Sequence, residues 1–118
     1  MLYQLALEDC VLTDSDIEDI CSLSLLFDLN LARCPISTSS LKRLSALPNL
    51  RALNVQGSVF GPESIAVFHQ FKKMQRLRMD RITWAAADRA KLKAALPSGC
   101  LIVERSGRPS FRLFFQDD

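Results

Sequence analysis

The sequence predicts an α/β solenoid, a single domain over residues 1–118 with about five parallel strands on an inner face and short helices on an outer face. The first observation behind this fold class is an apolar pattern that recurs every 24 residues, as in Leu2, Leu26, Leu50 and Met74. The second is a change of apolar period inside each unit, from two, which is typical of a strand, to three, which is typical of a helical turn. A chain of 118 residues with 48% hydrophobic content has room for one such core.

Two apolar columns predict the strands. The first column consists of Leu5, Leu29, Leu53, Leu77 and Leu101, and the second of Leu7, Leu31, Val55, Met79 and Val103. Residues two positions apart on a strand share a face, so both columns are expected to point into the core. Two further columns continue each unit into the following loop, namely Cys10, Cys34, Ser58 and Ile82, then Leu12, Ile36, Phe60 and Trp84.

The second half of each unit has helical spacing. Apolar residues recur every three positions in the sets Ile17, Ile20 and Leu23, then Leu41, Leu44 and Leu47, then Ile65, Phe68 and Phe71. Thr13 and Ser37 are candidate N-caps, and Gly61 followed by Pro62 is a third start signal. A fourth helical segment, 85–96, carries Arg89 where the earlier units have an aliphatic residue. Its end falls one residue late, yet the strand columns are expected to resume at Leu101 and Val103.

The two ends of the chain differ. Residues 1–105 contain the repeating units, whereas residues 106–118 contain a turn-forming stretch followed by the alternating aromatic segment 111–115, which predicts a C-terminal strand cap. The first unit begins at Leu2 with no comparable cap. We therefore expect either that the chain is a segment of a longer protein or that its first strand meets another subunit.

The repeated pattern L-x-x-L-x-L-x-x-C-x-L resembles the leucine-rich repeat, whose period runs from about 20 to 29 residues. It is most similar to bacterial repeats of the form L-T-D-x-G-L, which the segment 12–17 matches except at the glycine. The resemblance covers nearly the whole chain. It implies a parallel sheet whose inner face recognises a protein or peptide, and it implies a bacterial source.

The candidate binding residues are those strand residues that point away from the predicted core. Aromatic and arginine side chains are enriched at interface hot spots, which favours Phe27, Arg51, Arg76 and Arg78 as contacts. The complete predicted protein-binding set is Tyr3, Phe27, Asn30, Arg51, Asn54, Gln56, Gln75, Arg76, Arg78 and Asp80. The alternative interpretation is that these are ordinary solvated strand positions.

The charge distribution suggests a second function. Residues 1–30 contain seven acidic residues and no lysine or arginine, whereas residues 31–118 carry a net charge of +9. Opposite ends of two copies could therefore attract each other, and the chain could form a homo-oligomer through its N-terminal edge as a self-assembling structural unit. An ordinary solvated surface explains the same distribution, because exposed ion pairs contribute only about 0 to 1 kcal/mol each.

Other functional classes lack the residues they need. A nucleic-acid surface would use the basic cluster Lys72, Lys73, Arg76, Arg78 and Arg81, with Lys91 and Lys93 further along. The repeat sends Arg76 and Arg78 to the inner face but Lys91 and Lys93 toward the helical side, so the charges do not form one stripe. The four cysteines include no C-x-x-C pair and His69 is the single histidine, so we expect no metal site. We find no catalytic or phosphate-binding motif, and we expect a protein that is not an enzyme and has no cofactor.

The expected location is the cytoplasm. The first residues lack the basic segment of a secretion signal, and no apolar run approaches the roughly 20 residues that cross a bilayer. In a reducing compartment the four cysteines are expected to stay as thiols.

Overall fold

The computed structural model describes residues 1–105, which form an α/β fold around one five-stranded parallel sheet. The order of strands in the sheet follows their order in the chain, and every neighbouring pair is parallel. The strands are β1 Gln4–Ala6, β2 Asp28–Asn30, β3 Ala52–Asn54, β4 Arg76–Asp80 and β5 Leu101–Arg105. The five predicted parallel strands are thus confirmed. The predicted strand cap at 106–118 lies outside the described residues.

A helical segment connects each strand to the next. The helices are α1 Asp14–Cys21, α2 Thr38–Leu44, α3 Ile65–Phe68, which a 3₁₀ turn at Pro62–Ser64 precedes, and α4 Ala86–Ala95. The predicted N-caps are confirmed. The Thr13 hydroxyl accepts a hydrogen bond from the Asp16 amide, and the Asp16 carboxylate accepts one from the Thr13 amide. At α2 the Ser37 hydroxyl accepts a hydrogen bond from the Ser40 amide.

The core contains the two aliphatic columns together with the apolar residues of the helices. Leu29, Leu53 and Leu77 are each 2% exposed or less, and the second column is buried from Leu31 through Met79. Leu5 is only half-buried, because within residues 1–105 β1 has a neighbouring strand on one side alone. From the helices, the core takes Ile17, Ile20, Leu41, Leu44, Phe68 and Leu92.

The predicted register of the fifth strand is wrong by one residue. Leu77 pairs with Ile102 and Met79 pairs with Glu104, so Leu101 and Val103 do not continue the core columns. Leu101 is 51% exposed. The cause lies at the end of α4, where Leu96 follows its predecessor Phe71 by 25 residues instead of 24. The extra residue shifts the strand that follows, and the columns do not return to their earlier spacing.

The turn after each of the first three strands uses left-handed backbone. Asp9 and Arg33 both have φ of 59°, and Gly57, at the same position in the third unit, has φ of 93°. The Arg33 guanidinium binds the Asp9 carboxylate at 2.7 Å and the Glu8 carboxylate at 2.8 Å. The hydrogen bond to Arg33 lowers the pKa of Asp9. This ion-pair cluster joins the turns of the first two units.

Candidate protein-binding face

The polar residues of the strands meet on one side of the sheet, which we call the strand face. Its first row consists of Gln4, Asp28, Ala52 and Arg76, which pair across successive strands, and its second row of Ala6, Asn30, Asn54 and Arg78. The structure therefore brings four of the candidate residues, Asn30, Asn54, Arg76 and Arg78, into register with their neighbours. A third row follows from backbone hydrogen bonds that link successive residues of the set Tyr3, Phe27, Arg51 and Gln75.

A shallow depression lies at the centre of the strand face. Its volume is about 200 Å³, and Ala52, Leu53 and Asn54 lie between its two sides. Asp28 and Asn30 line the side formed by β2, and Arg76 and Arg78 line the side formed by β4. The small side chain of Ala52 leaves room between a carboxylate and a guanidinium.

Two of the charged groups beside the depression, those of Asp28 and Arg76, have no partner within residues 1–105. Among residues 1–105, neither the Asp28 carboxylate nor the Arg76 guanidinium forms a hydrogen bond or ion pair. Neighbouring strands lie about 4.8 Å apart, so two strand spacings separate these residues by about 10 Å. The strand face therefore presents a negative charge and a positive charge to a ligand.

Three of the candidate binding residues also stabilise the turns after the strands. The Asn30 side-chain oxygen accepts a hydrogen bond from the Ala32 amide at 3.0 Å, and Asn54 accepts one from the Gln56 amide at the same distance. The Asp80 carboxylate accepts from the Gly57 amide at 3.2 Å. Asparagine and aspartate commonly bond the backbone in this way at turns. Their side chains thus have a structural role that the sequence analysis did not identify.

An aromatic pair lies at the acidic end of the strand face. The ring centroids of Tyr3 and Phe27 are 6.3 Å apart with an interplanar angle of 35°. Tyr3 is 49% exposed and Phe27 is half-buried, whereas Arg51 and Gln75 in the same row are exposed. Aromatic rings that combine exposure with a packed neighbour provide rigid apolar contact area. This end of the face can therefore accept an apolar group.

The cysteines that share a repeat position serve the backbone of the loop. Cys34 is fully buried, its Sγ donates to the Leu7 carbonyl oxygen at 2.9 Å, and it accepts from the Cys10 amide at 3.4 Å. Burial raises the pKa of the Cys34 thiol. A thiol with a raised pKa is a poor nucleophile at neutral pH, so these contacts favour a structural role.

A charged pair replaces two aliphatic residues in the last unit. Glu104 pairs in the sheet with Met79 of the core column, and Arg89 lies at the position of Ile17 in the first unit. The Arg89 guanidinium donates to both Glu104 carboxylate oxygens, at 2.7 and 3.1 Å. Glu104 also accepts from the Ile82 amide at 2.9 Å, and the hydrogen bond from Arg89 is the main reason that the pKa of Glu104 is lowered.

Acidic pH is expected to destabilise the wild-type protein more than the Glu104→Gln variant. A carboxyl group whose pKa is lower in the folded chain than in the unfolded chain adds stability above the unfolded pKa, and that stability disappears as the pH falls through the folded value. For Glu104 this loss of stability begins as the pH falls below about 4.5, the ordinary pKa of the carboxyl group. Glutamine keeps an oxygen for the Ile82 amide but has no charge to titrate.

Urea unfolding of both proteins at about pH 7 and about pH 3 measures this difference. Asp9→Asn is the matched control, because Arg33 lowers the pKa of Asp9 in a separate ion-pair cluster. This variant should lose the contribution of Asp9 to the pH dependence and keep that of Glu104. An equal loss of stability in the wild-type and Glu104→Gln proteins would contradict the role of the pair.

Within residues 1–105, no group of three or more histidine, cysteine, aspartate or glutamate side chains is arranged to hold a metal ion. No helix in the same range has the length and apolar character needed to span a membrane. Neither a protein-family model nor a curated protein matches this sequence. The geometry of the strand face is therefore the basis for assigning a function.

Proposed function

We propose that the chain is a leucine-rich-repeat solenoid that acts as a non-enzymatic interaction module and binds a protein or peptide on its strand face. The single observation that carries the binding role is the pair of charges, Asp28 and Arg76, that lie on either side of an open depression and have no partner among residues 1–105. Polar residues that only cover a core need no such recess. The regular pairing of residues 24 positions apart, as in Leu29 with Leu53, supports the repeat assignment.

The surroundings of this site support recognition over catalysis. A reaction needs a nucleophile, an acid or a base positioned beside a bound substrate. The strand face offers instead charged side chains of both signs, several amides and an aromatic pair, which is the composition of a binding surface. The proposal also includes a bacterial source, which the resemblance implies, and the cytoplasmic location expected from the sequence.

Selection of peptides from a random phage-displayed library, followed by binding measurements on synthetic copies, tests the proposed function. The double variant Arg76→Glu and Arg78→Glu should bind the selected peptides at least about tenfold more weakly than wild type, because two favourable charge contacts become repulsive at roughly 1 kcal/mol each. Fluorescence polarisation gives the dissociation constants. Circular dichroism and the melting temperature check that the variant remains folded.

The matched control is the double variant Lys42→Glu and Lys91→Glu, which makes the same change in net charge on α2 and α4, at exposed positions on the helices. Its affinity should match that of wild type. Since Arg78 has interactions within the protein, Arg51→Glu with Arg76→Glu serves as a second strand-face variant. Undiminished binding by both folded strand-face variants would overturn the proposed site.

Self-assembly through the first strand is the alternative function, and the exposure of β1 favours it. Leu2 is 44% exposed and Leu5 is half-buried, so the open side of β1 presents apolar surface beside an acidic helix. Light scattering at low and high salt separates the two functions, because attraction between oppositely charged ends weakens as salt rises. A chain that stays monomeric at every concentration and ionic strength would remove this alternative.

A further inference from the structure

We infer that the strand face selects a peptide segment in the polyproline II conformation that carries a basic residue and, three positions away, an acidic residue. The basic side chain meets Asp28 and the acidic side chain meets Arg76. This inference rests on the proposed function, because it names the partner of the same face.

The available charges determine the chemistry of the partner. The other acidic residues on or beside the face are engaged, since Glu8 binds Arg33 and Asp80 accepts from the Gly57 amide. Asp28 and Arg76 have no hydrogen bond or ion pair with the rest of the described chain. A ligand therefore meets a carboxylate on β2 and a guanidinium on β4 that have no contact within residues 1–105, and Arg51 and Arg78 add positive charge nearby. A uniformly charged ligand would be attracted at one end and repelled at the other.

The separation of the two charges determines the spacing of the ligand residues. Ala52 lies between Asp28 and Arg76 in the same row, so the distance across the row is two strand spacings, about 10 Å. A polyproline II helix has three residues per turn and rises about 3.1 Å per residue, which places residues i and i+3 on the same side about 9.3 Å apart. In a β-strand these residues would point to opposite sides. The polyproline II conformation is therefore the better match.

The aromatic pair supports the same conformation. Phe27 immediately precedes Asp28 in the chain, and its ring packs near the exposed ring of Tyr3. Domains that recognise proline-rich segments dock the proline rings on exposed aromatic side chains. A proline beside the basic residue of the ligand would thus have apolar surface on which to pack.

The test uses three fluorescent peptides of equal length, with two prolines between the charged positions, which are lysine and glutamate, two lysines, or two glutamates. Wild type should bind the mixed peptide up to about fivefold more tightly than either uniform peptide, since one exposed charge pair contributes up to about 1 kcal/mol. Asp28→Arg should prefer the peptide with two glutamates. Arg76→Asp should prefer the peptide with two lysines.

Both variants change one exposed or half-exposed side chain on the strand face, and their melting temperatures confirm that they fold. A fourth peptide with a single proline between lysine and glutamate should bind more weakly than the mixed peptide. Peptide preferences that are the same in all three proteins would overturn this inference. Tighter binding of an oligothymidylate, which probes for single-stranded nucleic acid, than of the mixed peptide would also overturn it.

Selection from the random peptide library distinguishes peptide binding by the strand face from selection of a polyproline II segment. Selected peptides that need Arg76 but share no basic residue three positions from an acidic one would leave the binding role in place and overturn the polyproline II inference. Selected peptides that bind the strand-face variants as well as wild type would overturn the proposed function itself.

Discussion

Replacing Leu53 with alanine is expected to lower the free energy of unfolding by about 2–5 kcal/mol, the range measured for leucine truncation in protein cores. Leu53 is 2% exposed and pairs with Leu29 on one side and Leu77 on the other. These neighbours are held by their own strands and cannot collapse into the space. The cavity therefore remains, and the loss of stability includes both the lost burial and the cavity.

Urea unfolding followed by circular dichroism measures this loss. The matched control is Leu101→Ala, which removes the same atoms from a side chain that is 51% exposed and should cost less than about 1 kcal/mol. A similar loss in the two variants would mean that Leu101, and not Ile102, continues the core column. The pair of variants thus tests the register of β5 together with the importance of the core.

Replacing Gly57 with alanine is expected to cost roughly 2–4 kcal/mol, from left-handed strain and from overlap with a neighbouring backbone. Gly57 has φ of 93°, and an added Cβ would lie 2.8 Å from the Arg33 Cα. The Arg33 backbone has little freedom to move, because its amide donates to the Gln56 carbonyl oxygen at 2.7 Å and its side chain binds Asp9.

Gly99→Ala separates the two contributions to this cost. Gly99 has φ of 85°, but a Cβ there would meet no atom within 4 Å, so only the backbone strain of about 1–2 kcal/mol is expected. The melting temperatures and unfolding free energies of both variants provide the comparison. If Gly57→Ala were no worse than Gly99→Ala, the close approach to Arg33 would not contribute to stability.

The sequence predicted the sheet well, because the 24-residue pattern is strong where each unit has the same length. The five parallel strands, the four helical segments and the caps at Thr13 and Ser37 are all confirmed. Assignment to the leucine-rich-repeat family stays a prediction. The repeating pattern indicates which residues are apolar, and burial is a direct consequence of that property.

The last unit could not be placed by pattern alone, because Leu101, Ile102 and Val103 are all aliphatic and either register gives an apolar face. A signal was present at Leu96, which follows α4 and lies 25 residues after Phe71 instead of 24. If β5 is also shifted by one residue, Glu104 continues the core column of Met79 and lies near Arg89. The ion pair would then have followed from the two charges, since a carboxylate that loses part of its contact with water is stabilised by a partner of opposite charge.

The arrangement of the strand-face residues in rows could be predicted from the sequence, but their hydrogen bonds could not. Strand alternation was sufficient to place Asp28, Ala52 and Arg76 in one row. Alternation gives no information on hydrogen bonding, so the turn contacts of Asn30 and Asn54 became visible only in three dimensions. The same limit applies to the depression, because its depth depends on the relative heights of neighbouring side chains.

The pairing of each strand with its neighbours in sequence has a consequence for how residues 1–105 fold. Each pairing of two strands closes the loop of chain between them, and these loops have similar, moderate lengths. No step of folding therefore has to join distant parts of the chain at a large entropic cost. Assembly can then begin at any adjacent pair of strands and spread outward. The outermost strands can separate transiently in hydrogen exchange while the middle ones stay protected.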